Sequence, residues 1–415
     1  MTTGLAEPHP LRSLVRATDG SQSGRHVVQA WVASRGLIIL IAMLLGLTEH
    51  RSMWDIVDSW DAALYHELAY NGYFSDPRGT LMAFFPGFPS LLRAGEYLGV
   101  PTQVTGMIIS AIGSALAAAA LLRMGGPLAA ILWLFAPTAV FTVVPYTEAM
   151  FCAAAFWAWE RARANRWAWA CLFACIACTV RVSGVFLIGA LAVLVVTTAS
   201  RETMASRETT ASRDTTAGRP VAPAPATGRL DLAELGRRLA GLVWLVPPAL
   251  VVFGYFVYLH RLTGSWSAWY TAQSTGWVRG LTWPWESAVN TWQAIRPGAY
   301  ADHPGWAAVF RFEVLSMAVG VVTTGWCLGR RRWAEASWVG VQVLAFSLSY
   351  WFFSVNRAVL LWFPLWIMLA DLGQQTRRTP LTRSLWRVWL ALVGLGGLIV
   401  MIWWSWLFFT GHWAS

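Results

Sequence analysis

Lysine is absent from this chain: all 31 basic residues among its 415 are arginine. Charge of either sign is scarce, at 13% of residues against 56% hydrophobic, and mean hydropathy is +0.49. So little charge excludes a water-soluble domain, because apolar side chains in that excess find no core large enough to hide them. The chain reads as an all-α polytopic membrane protein. A net charge of +10 would point to nucleic acid in a soluble protein. Here the arginines gather between apolar runs, where they set topology, so no nucleic-acid partner is expected. No Walker-type or dinucleotide-binding glycine motif occurs, which argues against a soluble nucleotide-sugar donor. Cysteine is limited to five residues; Cys171, Cys175 and Cys178 share a helical face but lack the polar neighbours of a metal site, and they read as small apolar residues. A cleavable leader is not expected either. Polar residues run to about His26 and no small-residue cleavage site follows the apolar run, so the first span stays as an anchor.

Residues 1–27 carry Arg12, Arg16 and Arg25 among Pro and Ser and read as a disordered cytoplasmic tail. An N-terminal membrane module is expected over 28–198 and a C-terminal one over 237–415, with about eleven spans in all. The long apolar run 167–198 holds Arg181 and Gly184 at its middle and is expected to split into two short helices at Arg181. Between the modules, 199–236 opens with the repeat ASRETM, ASRETT, ASRDTT. That tract has no apolar face to offset the entropy of ordering and is expected to be a disordered cytoplasmic loop. An outer loop over 260–305 carries Trp266, Trp269, Trp277, Trp283, Trp285 and Trp292, which read as an interfacial belt, with stacking platforms for sugar rings as the alternative.

The chemistry concentrates in an outer loop over 49–102. Asp58, Asp61, His66, Glu67 and Asp76 fall close together in a chain otherwise poor in charge. If the segment from Ser59 to Ala69 is helical, Asp58, Asp61 and Tyr65 share one face and His66 lies with Tyr70 on a second. One face then offers a base and a hydroxyl. Asn71-Gly72 ends the helix, and Phe84-Phe85-Pro86-Gly87-Phe88-Pro89 reads as an aromatic wedge dipping into the bilayer edge, since its prolines rule out a helix interior. Phe84 to Gly99 is taken as a half-span, because a full one would turn the later arginine clusters outward. With that count Glu148 faces the same side as Asp61.

Two blocks of sequence resemble a known family. The run Trp60-Asp61-Ala62, Gly72-Tyr73 and Ala83-Phe84-Phe85-Pro86-Gly87-Phe88-Pro89 is similar to the lumenal first loop of the PIG-V family, the second mannosyltransferase of GPI-anchor assembly, and of its actinobacterial relatives. Phe135-Ala136-Pro137, Tyr146-Thr147-Glu148-Ala149 and Val180-Arg181-Val182-Ser183-Gly184 resemble that family's later segments in the same order. The likeness covers roughly residues 54 to 190; it departs at Val182-Ser183, where the family has Ser-Asn, and continues loosely through Arg357 and Phe363-Pro364-Leu365.

The resemblance implies a GT-C-like fold with an extracytoplasmic active site in the cell membrane. It implies transfer of mannose from a polyprenyl-phosphate-mannose donor to a lipid-linked or other extracytoplasmic acceptor. Such transfer needs a base for the acceptor hydroxyl and positive charge for the departing phosphate, which leaves without protonation. Asp61 is the expected base, Arg181 and Arg357 the expected cations, and Glu148 orients an arginine or binds acceptor hydroxyls. Asp58, Trp60, Tyr65 and His66 complete the expected substrate-binding set. No cofactor and no metal ligand is expected, and a divalent-metal requirement stays open. The rival readings are a polytopic transporter or lipid flippase, against which the halves show no inverted repeat, and a catalytically silent partner subunit.

Overall fold

The computed structural model describes residues 10–197, 236, 240–300, 302–375 and 380–414. Its described residues form helices and turns, with one isolated bridge, Leu281 to Ser349, in place of strands. The expected loop 199–236 lies outside the described residues except at position 236, as does the tail up to residue 9. From Pro10 the chain is already helical, so α1 (Pro10–Glu49) takes in most of the stretch read as a tail.

Among the described residues five helices are long and apolar enough to cross a membrane: Gln22–Glu49, Thr102–Leu134, Ala240–Thr263, Gly305–Gly329 and Ala391–Phe409. A sixth results if the pair Val355–Leu361 and Phe363–Gly373, bent by 68°, counts as one span. The protein is therefore a multi-pass helical membrane protein. Fewer helices of spanning length occur among the described residues than the eleven expected, and proline is one reason. The apolar stretch 127–145 is helical only to Leu134 and then makes a 3-10 turn, Ala139–Thr142, with Pro137 and Pro145 on either side. A proline removes one donor and clashes a turn back. Helix is instead resumed at α6 (Glu148–Arg163).

Contacts divide the chain into two units. The first gathers residues up to Tyr70, Leu91–Phe156 and Asn356 onward. It thus draws on three stretches far apart in sequence. Within it α1 packs on α5 (Thr102–Leu134) and on α16 (Pro380–Phe409), and α15 (Phe363–Gln375) packs on α5. Trp133, Phe141, Tyr146, Phe151, Trp362 and Trp404 are buried at its centre. One face of α5 is stripped of bulk: Gly106, Ser110 and Gly113 recur at i, i+4 and i+7. Ser110 donates to the Val144 carbonyl at 2.7 Å, and a Cβ on Gly113 would lie 2.8 Å from the backbone carbon of Ala149. That face seats the segment leading into α6 with backbone against backbone.

The second unit holds Asn71–Ser90 and Trp157–Val355. The break in the apolar run after residue 167 falls where expected: α7 (Trp167–Val180) ends at Arg181, which is extended, and α8 (Ser183–Thr197) follows. The aromatic segment from Phe84 corrects the sequence reading. Phe84, Phe85 and Phe88 are all buried inside this unit, not presented as a wedge to lipid. Phe85 packs on Tyr255 at 4.2 Å and Phe84 meets Trp277 edge-on. The cause is the backbone. Between the 3-10 turn Thr80–Ala83 and α4 (Gly87–Tyr97) the carbonyls find no helical partners, and lipid offers none. Protein side chains supply them: Tyr255 donates to Met82 and Phe84 (2.8 and 2.9 Å), Tyr73 to Phe84 (2.9 Å) and Trp269 to Ala83 (3.1 Å). With 11 residues, α4 is about 16 Å long, half of a hydrocarbon thickness of about 30 Å. The Trp-rich stretch folds into α10 (Ala268–Trp277) and α11 (Pro284–Ala294), leaving Trp266, Trp283, Trp285 and Trp292 exposed.

Candidate active site

α2 (Met53–Val57) ends at Asp58, and Trp60, at φ 59°, turns the chain so that α3 (Asp61–Asn71) begins at Asp61. This left-handed residue separates Asp58 from the helix and so from Asp61's face. Tyr146 holds the start of α3 from across the unit: its hydroxyl accepts the Asp61 N–H at 3.0 Å and donates to the Ser59 carbonyl at 3.3 Å. Asp61 in turn accepts from Arg357, Nη1 to Oδ2 at 2.7 Å. Arg357 turns its Nε toward Glu148 at 3.6 Å, and its guanidinium rests against the rings of Phe141 and Tyr146, 5.3 and 5.5 Å from their centroids.

All three charged residues are buried, Glu148 completely. Asp61 and Glu148 each open a helix, where unpaired N–H groups and the helix dipole favour a carboxylate. Arg357 sits in the short helix α14 (Val355–Ala358), and the Thr138 hydroxyl donates to the carbonyl of its neighbour Asn356 at 3.0 Å. Tyr65, one turn into α3, shares a hydrogen bond of 3.2 Å with Thr147 and packs edge-on against Tyr146. Residues nearly 300 positions apart thus meet around one guanidinium.

A second, more open cluster lies in the same unit. Asp58 is 3.7 Å from His66 Nδ1 and accepts from Gln103 at 3.4 Å; His66 also bonds to the Thr102 hydroxyl at 2.8 Å and packs at a tilt against Tyr70, ring centroids 4.6 Å apart. Burial pushes the Asp58 carboxyl above its usual range, opposed by His66 and Gln103 and helped by Asp55. The structure therefore groups Asp58 with His66, not with Asp61 and Tyr65 as the helical spacing implied. Trp60 is partly exposed and donates to the His412 carbonyl at 3.1 Å. Arg181 belongs to the other unit, at the end of α7. Asp76 accepts the N–H groups of Arg78 and Thr80, a turn-capping role.

Sequence reasoning named Tyr146 and Thr147 only as parts of a motif and passed over Phe141, Thr102 and Gln103. It also missed Arg35, although an arginine at the middle of the first apolar span is itself a signal. Among the described residues no group of three or more His, Cys, Asp or Glu is placed to hold a metal ion, and the five cysteines are free.

No protein-family model and no curated protein matches the chain. The crystal structure of ArnT from Cupriavidus metallidurans bound to undecaprenyl phosphate is similar to it at 14% identity and a TM-score of 0.45. That likeness covers 89% of this chain and 64% of the other, so the chain spans less than two thirds of that protein's length. A likeness at this level assigns no activity, and the functional reading rests on the site.

Proposed function

We propose that this chain is a GT-C-type membrane mannosyltransferase, taking mannose from polyprenyl-phosphate-mannose and passing it to a lipid-linked or other extracytoplasmic acceptor. The observation that carries the reading is the meeting of Asp61, Glu148 and Arg357 in one buried place. It joins a carboxylate able to take a proton with a cation able to face a phosphate. In the proposed step Asp61 takes the acceptor's hydroxyl proton. The oxygen attacks C1 of the sugar from the side opposite the phosphate, the C1–O bond breaks, and polyprenyl phosphate leaves as an anion with the bonding pair. Arg357 exchanges its contact with Asp61 for the phosphate as that charge develops, since a guanidinium presents two parallel donors to a phosphate. Glu148 retains the guanidinium during the exchange. Arg181 is proposed as a further cation and Trp60, Asp58 and His66 as acceptor contacts. The motif resemblance to the PIG-V family is what selects mannose.

The test is incubation of purified protein in detergent or nanodiscs with labelled polyprenyl-phosphate-mannose and a lipid extract. Label moving to a new lipid or glycan supports the reading. Turnover of GDP-mannose by the pure protein, with no lipid-linked intermediate, would replace it. One observation favours the flippase alternative: the break between α14 and α15, bent by 68°, is a feature transporters use around their substrates. Movement of the lipid across sealed vesicles without chemical conversion would select that alternative.

A further inference from the structure

Arg35 sits at the middle of the span Gln22–Glu49, about 20 Å from either end at 1.5 Å per residue. No arginine side chain reaches that far, so it cannot snorkel to the headgroups. It is instead buried, with 5% of its surface exposed. Among the described residues no carboxylate pairs with it. Its Nη1 donates to the Ser34 hydroxyl at 2.7 Å and to the carbonyl of Leu134 at 3.1 Å, its Nη2 donates to the Thr142 hydroxyl, and its guanidinium lies 5.9 Å from the Trp133 ring centroid. An unpaired charge at membrane depth is costly and is retained where it serves a function.

Its contacts identify that service. Leu134 is the last residue of α5 and Thr142 the last of the 3-10 turn Ala139–Thr142, so Arg35 grips the non-helical segment at two points eight residues apart. Between those points Phe141 meets the Arg357 guanidinium, and just beyond them come Tyr146, which holds the Asp61 N–H, and Glu148. Pro137 and Pro145 interrupt the α-helix, and between them the backbone is held by short turn and 3-10 bonds alone, to which Arg35 adds two contacts from outside.

We propose that Arg35 is a positioning residue that holds the 135–147 segment, and through it Tyr146 and Glu148, in the arrangement that Asp61 and Arg357 need. It touches no reacting atom. This rests on the transferase reading above, and the experiment separates the two. Arg35→Met, Arg35→Lys, Thr142→Val and Thr142→Ser are compared with wild type in the labelled-donor assay, with melting temperature measured in parallel. Expected are a fall in kcat of at least tenfold for Arg35→Met, a smaller fall for Thr142→Val, near-full activity in Thr142→Ser, which keeps the acceptor hydroxyl, and KM for donor and acceptor within about twofold throughout. The double variant Arg35→Met/Thr142→Val should lose less than the product of the single losses, because both cut one contact. A rise in donor KM with kcat preserved would overturn the proposal by making Arg35 a phosphate contact. Full activity in Arg35→Met would overturn it outright, and so would additive losses that track melting temperature alone. If wild type transfers nothing, the transferase reading fails; Tyr146 and Glu148 are then followed by cysteine accessibility at positions 146 and 148, which must change in Arg35→Met for the positioning role to stand.

Discussion

Asp61→Asn and Glu148→Gln form a matched pair, and the structure says why. The Arg357 guanidinium serves two carboxylates, Asp61 at 2.7 Å and Glu148 at 3.6 Å. Either substitution removes one negative charge and leaves one carboxylate facing one guanidinium. Neither strands a buried charge, which is the circumstance that costs about 3–5 kcal/mol. Asparagine also keeps an oxygen to accept from Nη1, so the expected loss of stability is on the order of one hydrogen bond, about 1 kcal/mol. Folding and insertion should therefore survive both changes. Activity should not respond alike. Loss of a general base typically lowers turnover by about 10²–10⁴-fold, so Asp61→Asn should fall in that range. Glu148→Gln keeps the base and loses only the residue that retains the guanidinium, so it should cost roughly tenfold. The assay is transfer from labelled polyprenyl-phosphate-mannose under single-turnover conditions, with melting temperature as the control. Equal losses in the two variants would refute the assignment, because the cluster would then be an electrostatic anchor. Retention of turnover in Asp61→Asn would move the base elsewhere, with Asp58 and Glu148 the next candidates.

Arg357→Gln should behave differently from both: it leaves two buried carboxylates without their cation, and the expected outcome is loss of folded protein, read by size-exclusion chromatography, at a cost of about 3–5 kcal/mol. Gly113→Val should also reduce folded yield, because even a Cβ there would lie 2.8 Å from the Ala149 backbone, and the rigid seat cannot yield without displacing Glu148; normal yield and activity would show that the α5 face tolerates bulk. Tyr255→Phe removes the donor shared by the Met82 and Phe84 carbonyls while Tyr73 still serves Phe84, so about 1–3 kcal/mol of stability should be lost, visible as a lower melting temperature. The arginine distribution predicts the sidedness: in a background lacking the native cysteines, an impermeant thiol reagent added outside cells should label position 76 or 302 and spare 207 and 331. Outside labelling at 331 would invert the topology.

Composition by itself determined that this is a helical membrane protein, because no soluble core could bury so much apolar surface and lipid leaves the backbone only its own hydrogen bonds. Local sequence was also enough to place the break at Arg181, while Glu148 and Arg357 were named with Asp61 through the family resemblance and their meeting around one guanidinium is a matter of the fold. Local pattern failed where a long-range contact outweighed it. Helical spacing put Asp58 with Asp61, but the left-handed turn at Trp60, with Tyr146 clasping the helix start, hands Asp58 to His66 instead. The Phe84–Pro89 segment read as a lipid-facing wedge because its prolines argued against a helix interior, yet Phe84, Phe85 and Phe88 are buried, Phe85 against Tyr255 and Phe84 against Trp277. Unsatisfied carbonyls demanded protein donors, and Tyr255, which serves two of them, lies some 170 residues away. Only the tertiary structure could decide that Arg35 serves the segment before Glu148. Its partners, Leu134 and Thr142, are about a hundred residues distant and carry no charge to betray them in sequence.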